Sequence, residues 1–205
     1  MSEKCWFFII VGYLAGSIRF GYYLPKYFSH VDVTKVSQDG NPGAANAFQY
    51  GGILVGIAVL LGDMAKGFIP VRAALAAGIP MTIPLFTFVM AAPVLGHAYP
   101  FWHFMQGGKA IAVSFGVLLG LFPMWTPLWT LISCYLMFSV FIVIQPHLHR
   151  TIITFVLSAL LIIRKVTIRP VVWGCVLISG LVIWRHVVKY QGEKLEYRGI
   201  WRRKL

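Results

Sequence analysis

Residues 47–70 read AFQYGGILVGIAVLLGDMAKGFIP, with Asp63 and Lys66 as the only charges in the stretch. A helix crosses a bilayer core in about 20 residues, so this stretch is long enough to span. Working outward, further apolar stretches occur at 6–24, 83–97, 110–122, 127–144, 152–163 and 170–186, the sixth in chain order (152–163) being the shortest of the seven. The sequence therefore predicts an all-α, polytopic integral membrane protein of about seven transmembrane helices. At about 20 residues each, seven spans use roughly 140 residues and leave only short loops and a tail. Residues 1–205 are expected to form one membrane-embedded domain.

Composition points the same way. Of the 205 residues 59% are hydrophobic and 12% charged, against about 25% charged in soluble domains. That apolar content excludes a disordered chain. Cys5, Cys134 and Cys175 are too scattered for a disulfide framework or a zinc ribbon. The first stretch lacks the basic flank and small-residue cleavage site of a signal peptide, so it is read as a retained helix.

The formal net charge is +12. In a membrane protein this excess belongs to loops facing the cytoplasm and anionic headgroups rather than to nucleic acid. Seven of the 18 basic residues lie from Arg185 onward, which places the C-terminus inside. The inner loops and tail then hold eleven basic residues, including Lys26, Lys35, Lys109 and Arg150, against five at the outer ends (Lys4, Arg72, Arg164, Lys165 and Arg169). The Arg164–Arg169 cluster runs counter to this orientation.

In so apolar a chain the polar residues carry the information. Asn41 and Asn46, the two asparagines of the protein, share the loop Ser37-Gln38-Asp39-Gly40-Asn41-Pro42-Gly43-Ala44-Ala45-Asn46. Glycines that free backbone N–H groups, followed by a helix start near Ala44, suit an anion such as phosphate; a plain turn with an N-cap explains the same residues. Gln106-Gly107-Gly108-Lys109 offers a second phosphate cradle with Lys109 as point charge, or simply an interfacial lysine at a helix start. It lacks the P-loop pattern. Asp63 and Lys66, three apart, share one helix face and read as a structural ion pair. His186, beside Arg185 and followed by Lys189, could accept a proton from a hydroxyl, or be an interfacial histidine among basic neighbours. His147, His149 and Arg150 read as an electropositive loop without the further ligands a metal needs. Ser17, near Arg19, is the one suggestive serine; no activated protein nucleophile is evident. A transfer reaction here would run directly between two bound substrates.

The ordered motifs resemble those of the bacterial acyl-phosphate:glycerol-3-phosphate acyltransferase (PlsY) family. They are Gly16-Ser17-Ile18 with Gly21; Gly40-Asn41-Pro42-Gly43-Ala44 with Asn46; Asp63 with Lys66-Gly67; Gly96-His97 with Pro100; Gly107-Gly108-Lys109; and His186. The resemblance covers nearly the whole chain. It implies a seven-span enzyme of the bacterial inner membrane with its active site and C-terminus on the cytoplasmic side. It implies acyl transfer from acyl phosphate to the sn-1 hydroxyl of glycerol 3-phosphate, giving lysophosphatidic acid for phospholipid synthesis. Neither metal nor cofactor, acyl-enzyme nor nucleic-acid partner is implied, and a monomer is expected among membrane lipids. Lys109 and His186 would be catalytic. Ser17, Gly40, Asn41, Gly43, Asn46, Gly107, Gly108 and Lys189 would hold substrate.

This chain departs from the family pattern. Asp39 stands where the family has serine, Gln49 where it has arginine, Lys189 where it has asparagine, Arg19 where it has proline and Ala110 where it has glycine. Asp39 would repel a phosphate unless turned away or paired with a cation. Lys189 or Arg19 is expected to replace the charge missing at Gln49. The competing reading is a non-catalytic membrane protein that binds or moves an anionic metabolite or lipid.

Overall fold

The computed structural model describes residues 2–190, Gly192 and the backbone of residues 196–199. The chain is helical almost throughout. Helices α1 (Ser2–Gly16), α2 (Phe20–Phe28), the single turn α3 (Val33–Val36) and α4 (Ala44–Gly51) precede the long α5 (Ile53–Ala76). Then come α6 (Phe86–Ala98), α7 (Ile111–Gly120), α8 (Thr126–Leu136), a π-helical turn at Met137–Phe141, α9 (His147–Lys165) and α10 (Arg169–Val188). Two short strands, β1 (Ile142–Gln145) and β2 (Glu196–Gly199), pair antiparallel with Ile142 opposite Gly199.

Among the described residues, four segments are long and apolar enough to cross a membrane: Ser2–Phe28, Ile53–Ala76, His147–Lys165 and Arg169–Val188. Phe86–Ala98, Ile111–Gly120 and Thr126–Phe141 are shorter apolar helices. Each of the seven apolar stretches of the sequence thus contains helix. Trp6, Phe7, Ile53, Leu54, Trp173 and Trp184 are exposed on the outside, as lipid-facing side chains are when hydrocarbon rather than water is the solvent.

Several boundaries differ from the sequence reading, each for a local reason. The first stretch breaks at Ser17–Arg19, between α1 and α2. The second does not run from 47: Gly52, at φ +89, separates α4 from α5, because a left-handed residue cannot continue a helix. The fifth leaves helical geometry at Ile142 to pair with β2. The sixth is longer than 152–163; it starts at His147, so the polar segment read as a loop is the first turn of α9. The side chains of the basic tail beyond Tyr190 lie outside the described residues.

Helix α6 is central: eleven of its thirteen residues are buried, and it packs against α1, α5, α7 and α10. Two parallel crossings depend on missing side chains. A Cβ on Gly96 would lie 2.1 Å from Tyr13 O, and one on Gly16 would lie 2.2 Å from Pro93 O, so α1 and α6 meet backbone to backbone. Between α5 and α7, a Cβ on Gly116 would lie 2.0 Å from Met64 O. Small residues at crossings are how helices associate where no hydrophobic effect drives them together. These pairs fix the ends at which the polar loops meet.

Candidate active site

A cavity of about 540 Å³ opens at the end of the bundle where α4, α5, α7 and α9 begin and α6, α8 and α10 finish. One wall is the loop before α4. Gly43 is the N-cap of α4 and supplies no side-chain cap. The first N–H groups of a helix lack intrahelical partners and carry its positive dipole end. The residues presenting them, Ala44, Ala45 and Asn46, line the cavity. Gly21 lets α2 support this wall, since a Cβ there would lie 2.4 Å from Pro42 O.

The Asp39 carboxylate is engaged on this wall. Lys109 Nζ donates to its Oδ2 at 2.8 Å, while Asn46 Nδ2 at 2.8 Å and Asn41 N at 3.2 Å donate to its Oδ1. Burial alone would raise its pKa. The hydrogen bonds from Lys109 and Asn46, the Lys109 charge and the Asn41 N–H outweigh burial and bring it down to about 2. Asp39 is therefore paired with a cation and ionised across the working pH range.

Lys189, just past α10, lines the cavity and donates to Gly107 O at 3.0 Å and to Asn41 Oδ1 at 3.3 Å. Burial, then the positive charge of Arg185, lowers its pKa to about 8. Gln49 also lines the cavity, as a neutral amide donating to Tyr50 Oη at 3.3 Å. Of the two cations expected to replace the charge missing there, Lys189 faces the cavity. Arg19 turns away: it donates to Gln106 Oε1 at 3.1 Å and stacks 4.5 Å from the centre of the Tyr22 ring.

His186 sits in the last turn of α10, 2% exposed, and lines the cavity. Its Nδ1 lies 2.8 Å from Val182 O. A carbonyl only accepts, so Nδ1 carries a proton, and the lone pair of the neutral form of the ring is then on Nε2. Nε2 lies 3.3 Å from Thr151 Oγ1, whose hydroxyl also reaches His147 O at 2.8 Å. The geometry presents a hydroxyl-accepting nitrogen.

Gly107 and Gly108 do not line the cavity. Gly108 N donates to His97 O at 3.1 Å, and a Cβ on Gly107 would lie 2.2 Å from Ala98 O. They pack the loop onto the end of α6, and the Gly108 N–H is spent there rather than turned to an anion. Helix α7 starts at Ile111, after Ala110 in the left-handed region at φ 64, so Lys109 precedes the helix rather than opening it. Gly40, at φ +56, closes the turn to Ser37 O, off the cavity. Ser17 is 2% exposed; it donates to Tyr13 O at 2.8 Å and accepts from Phe101 N at 3.1 Å, and it too is off the cavity. Lys66 Nζ lies 2.8 Å from Asp63 Oδ1 and donates to Ile18 O at 2.6 Å, tying α5 to the break between α1 and α2. Asp63 and His97 line the deep side of the cavity.

Sequence reasoning missed two contributors. Arg185, 1% exposed, donates to Gly107 O at 2.8 Å and Gly108 O at 3.3 Å, so it holds the loop that carries Lys109. A charge next to His186 near the end of an apolar helix was the available signal. Thr151 gave none, because only the packing of α9 on α10 brings it to His186.

Residues 6–192 match the glycerol-3-phosphate acyltransferase family. A glycerol-3-phosphate acyltransferase of Pseudomonas aeruginosa is 33% identical over 190 residues, covering 88% of this chain and 91% of that protein. One from Methylobacillus flagellatus is 36% identical over 77% of this chain and 87% of its own length. One from an Anaeromyxobacter species is 46% identical, over 56% of this chain and 57% of its own length. Among solved structures, PlsY, an integral membrane glycerol 3-phosphate acyltransferase in its glycerol 3-phosphate form, superposes with a TM-score of 0.77 at 29% identity, covering 90% of this chain and 88% of that one. Its lysophosphatidic acid form gives a TM-score of 0.75.

Proposed function

The chain belongs to the glycerol-3-phosphate acyltransferase family, and we propose that it moves a fatty acyl group from acyl phosphate to the sn-1 hydroxyl of glycerol 3-phosphate. The products are lysophosphatidic acid and inorganic phosphate. One observation carries the reading: His186, Lys109 and Lys189 line the same cavity, beside the open N-terminus of α4.

The chemistry follows from these positions. Lys189, Asn41 and the first N–H groups of α4 hold the glycerol phosphate. His186 Nε2 takes the proton of the sn-1 hydroxyl as its oxygen attacks the acyl carbonyl carbon. The new C–O ester bond forms and the C–O bond to phosphate breaks. The leaving phosphate keeps that electron pair and takes the proton back from His186. Lys109 lies beside the phosphoryl oxygens where negative charge grows, and its attraction lowers the barrier. Holding donor and acceptor together supplies the proximity term, and no acyl-enzyme forms.

The enzyme works as a monomer in the bacterial inner membrane, its cavity and C-terminus facing the cytoplasm. Excess basic residues in the loops and tail of that side support this orientation. The donor is tested by offering the purified protein palmitoyl phosphate or palmitoyl-CoA with glycerol 3-phosphate. Ester formation with release of one inorganic phosphate per product is expected from the acyl phosphate alone. Equal product from the CoA thioester would overturn the donor assignment.

A further inference from the structure

The donors around Asp39 form the kind of set an oxyanion site uses: an ammonium, a side-chain amide and a backbone N–H. All three converge on one carboxylate on the cavity wall. An external phosphate reaching this wall meets donors that are already occupied. We propose that Asp39 is an internal stand-in for the substrate's phosphate, that it holds Lys109 and Asn46 in the ligand-free enzyme, and that it thereby sets the phosphate affinity of the site. The inference rests on the reading of this cavity as a phosphate site.

The geometry favours displacement over a fixed structural pair. The side chains of Asp39 and Lys109 are 31% and 19% exposed, so water can replace either partner. A part-exposed pair of this kind gains less net stability than a fully buried one, because water screens it and competes for both partners. A dianionic phosphate offers more charge and three terminal oxygens to the same donors. Asp39 also precedes Gly40 at φ +56, so the carboxylate hangs from a tight turn and can leave Lys109 without unwinding a helix. The Asn41 N–H bond to Asp39 closes a turn that a hydroxyl at this position can also close. Serine therefore removes the charge and keeps the loop.

The test measures binding of inorganic phosphate and of glycerol 3-phosphate by calorimetry on the full chain in lipid nanodiscs. The proteins are the wild type, Asp39→Ser and Asp39→Asn, each with Lys109 intact and with Lys109→Ala. With Lys109 present, both Asp39 variants should bind phosphate about tenfold more tightly, the scale of one charge-assisted hydrogen bond regained. With Lys109→Ala the gain should fall below about twofold, because the contested donor is gone. Unchanged or weaker binding in the Asp39 variants would overturn the proposal and make Asp39 a support for Lys109. Equal tightening in both backgrounds would also overturn it, since the effect would then be general charge rather than occupancy. Binding is read without turnover: phosphate tightening without acyl transfer would sink the proposed reaction and leave this inference standing.

Discussion

The ammonium of Lys109 lies 2.8 Å from the carboxylate of Asp39, across 70 residues of sequence. The acid that departs from the family pattern is thus bonded to the lysine that the pattern makes catalytic. With Asp39 partnered, Lys189 is left as the cation of the cavity wall that no carboxylate holds in a salt bridge among the described residues. The site is best understood from these two lysines and from His186.

Lys189 gives the first prediction. Lys189→Ala should raise the KM for glycerol 3-phosphate by about tenfold or more, the cost of one charge-assisted contact, and change kcat less. Lys189→Arg should retain part of the affinity. Steady-state kinetics decide it; an unchanged KM would show that another group holds the acceptor phosphate.

The pH dependence follows from the same residue. Its pKa is lowered to about 8, so its charge is present below that pH and lost above it. The value of kcat/KM for glycerol 3-phosphate, which reports the free enzyme, should fall as pH rises through about 8. In Lys189→Arg the fall should disappear. Asp39, held at about 2, stays ionised down to pH 4, so acidification should not reproduce the Asp39→Ser phenotype.

Arg185 gives a stability prediction. Arg185→Gln would leave the buried Gly107 and Gly108 carbonyls short of donors. A loss of about 2–4 kcal/mol is expected, together with weaker phosphate binding, since Lys109 rides on that loop. Thermal unfolding in detergent measures the first, and phosphate titration the second.

The helix crossings give the last. Gly116→Leu forces a Cβ to within 2.0 Å of Met64 O, whereas a Cβ on Gly180 meets nothing within 4 Å. The first should destabilise by about 3 kcal/mol or more through overpacking. Gly180→Ala should be near neutral. Similar melting temperatures for the two variants would contradict the backbone-to-backbone packing of α5 and α7.

Much of this fold was legible because the bilayer imposes a coarse rule: about 20 apolar residues per crossing, whatever their order. Four segments among the described residues meet that rule, and the other three apolar stretches hold shorter helices. What escaped the rule was set by single residues. Gly52 breaks what hydropathy reads as one span, since hydropathy carries no information about φ. Likewise the break at Ser17–Arg19, capped by Lys66 bonding to Ile18 O, depends on a contact 48 residues away. In the site, residue types pointed to Asn41, Asn46, Lys109 and His186, because polar groups are costly in such a chain and stand out. The glycines next to Lys109 read in sequence either as a phosphate cradle or as the approach to a helix start, and in the structure they sit against His97 and Ala98. A glycine pair looks the same in sequence whether a ligand or a neighbouring helix needs the space.

The central claim is that His186 and Lys109 carry acyl transfer in this cavity. The direct measurement is acyl transfer by the purified protein in lipid, supplied with palmitoyl phosphate and glycerol 3-phosphate, with lysophosphatidic acid followed by mass spectrometry. Lysophosphatidic acid should form with the wild type and fall by at least about a hundredfold in His186→Ala and Lys109→Ala. Wild-type rates in folded His186→Ala or Lys109→Ala protein, or no product from folded wild type, would contradict it.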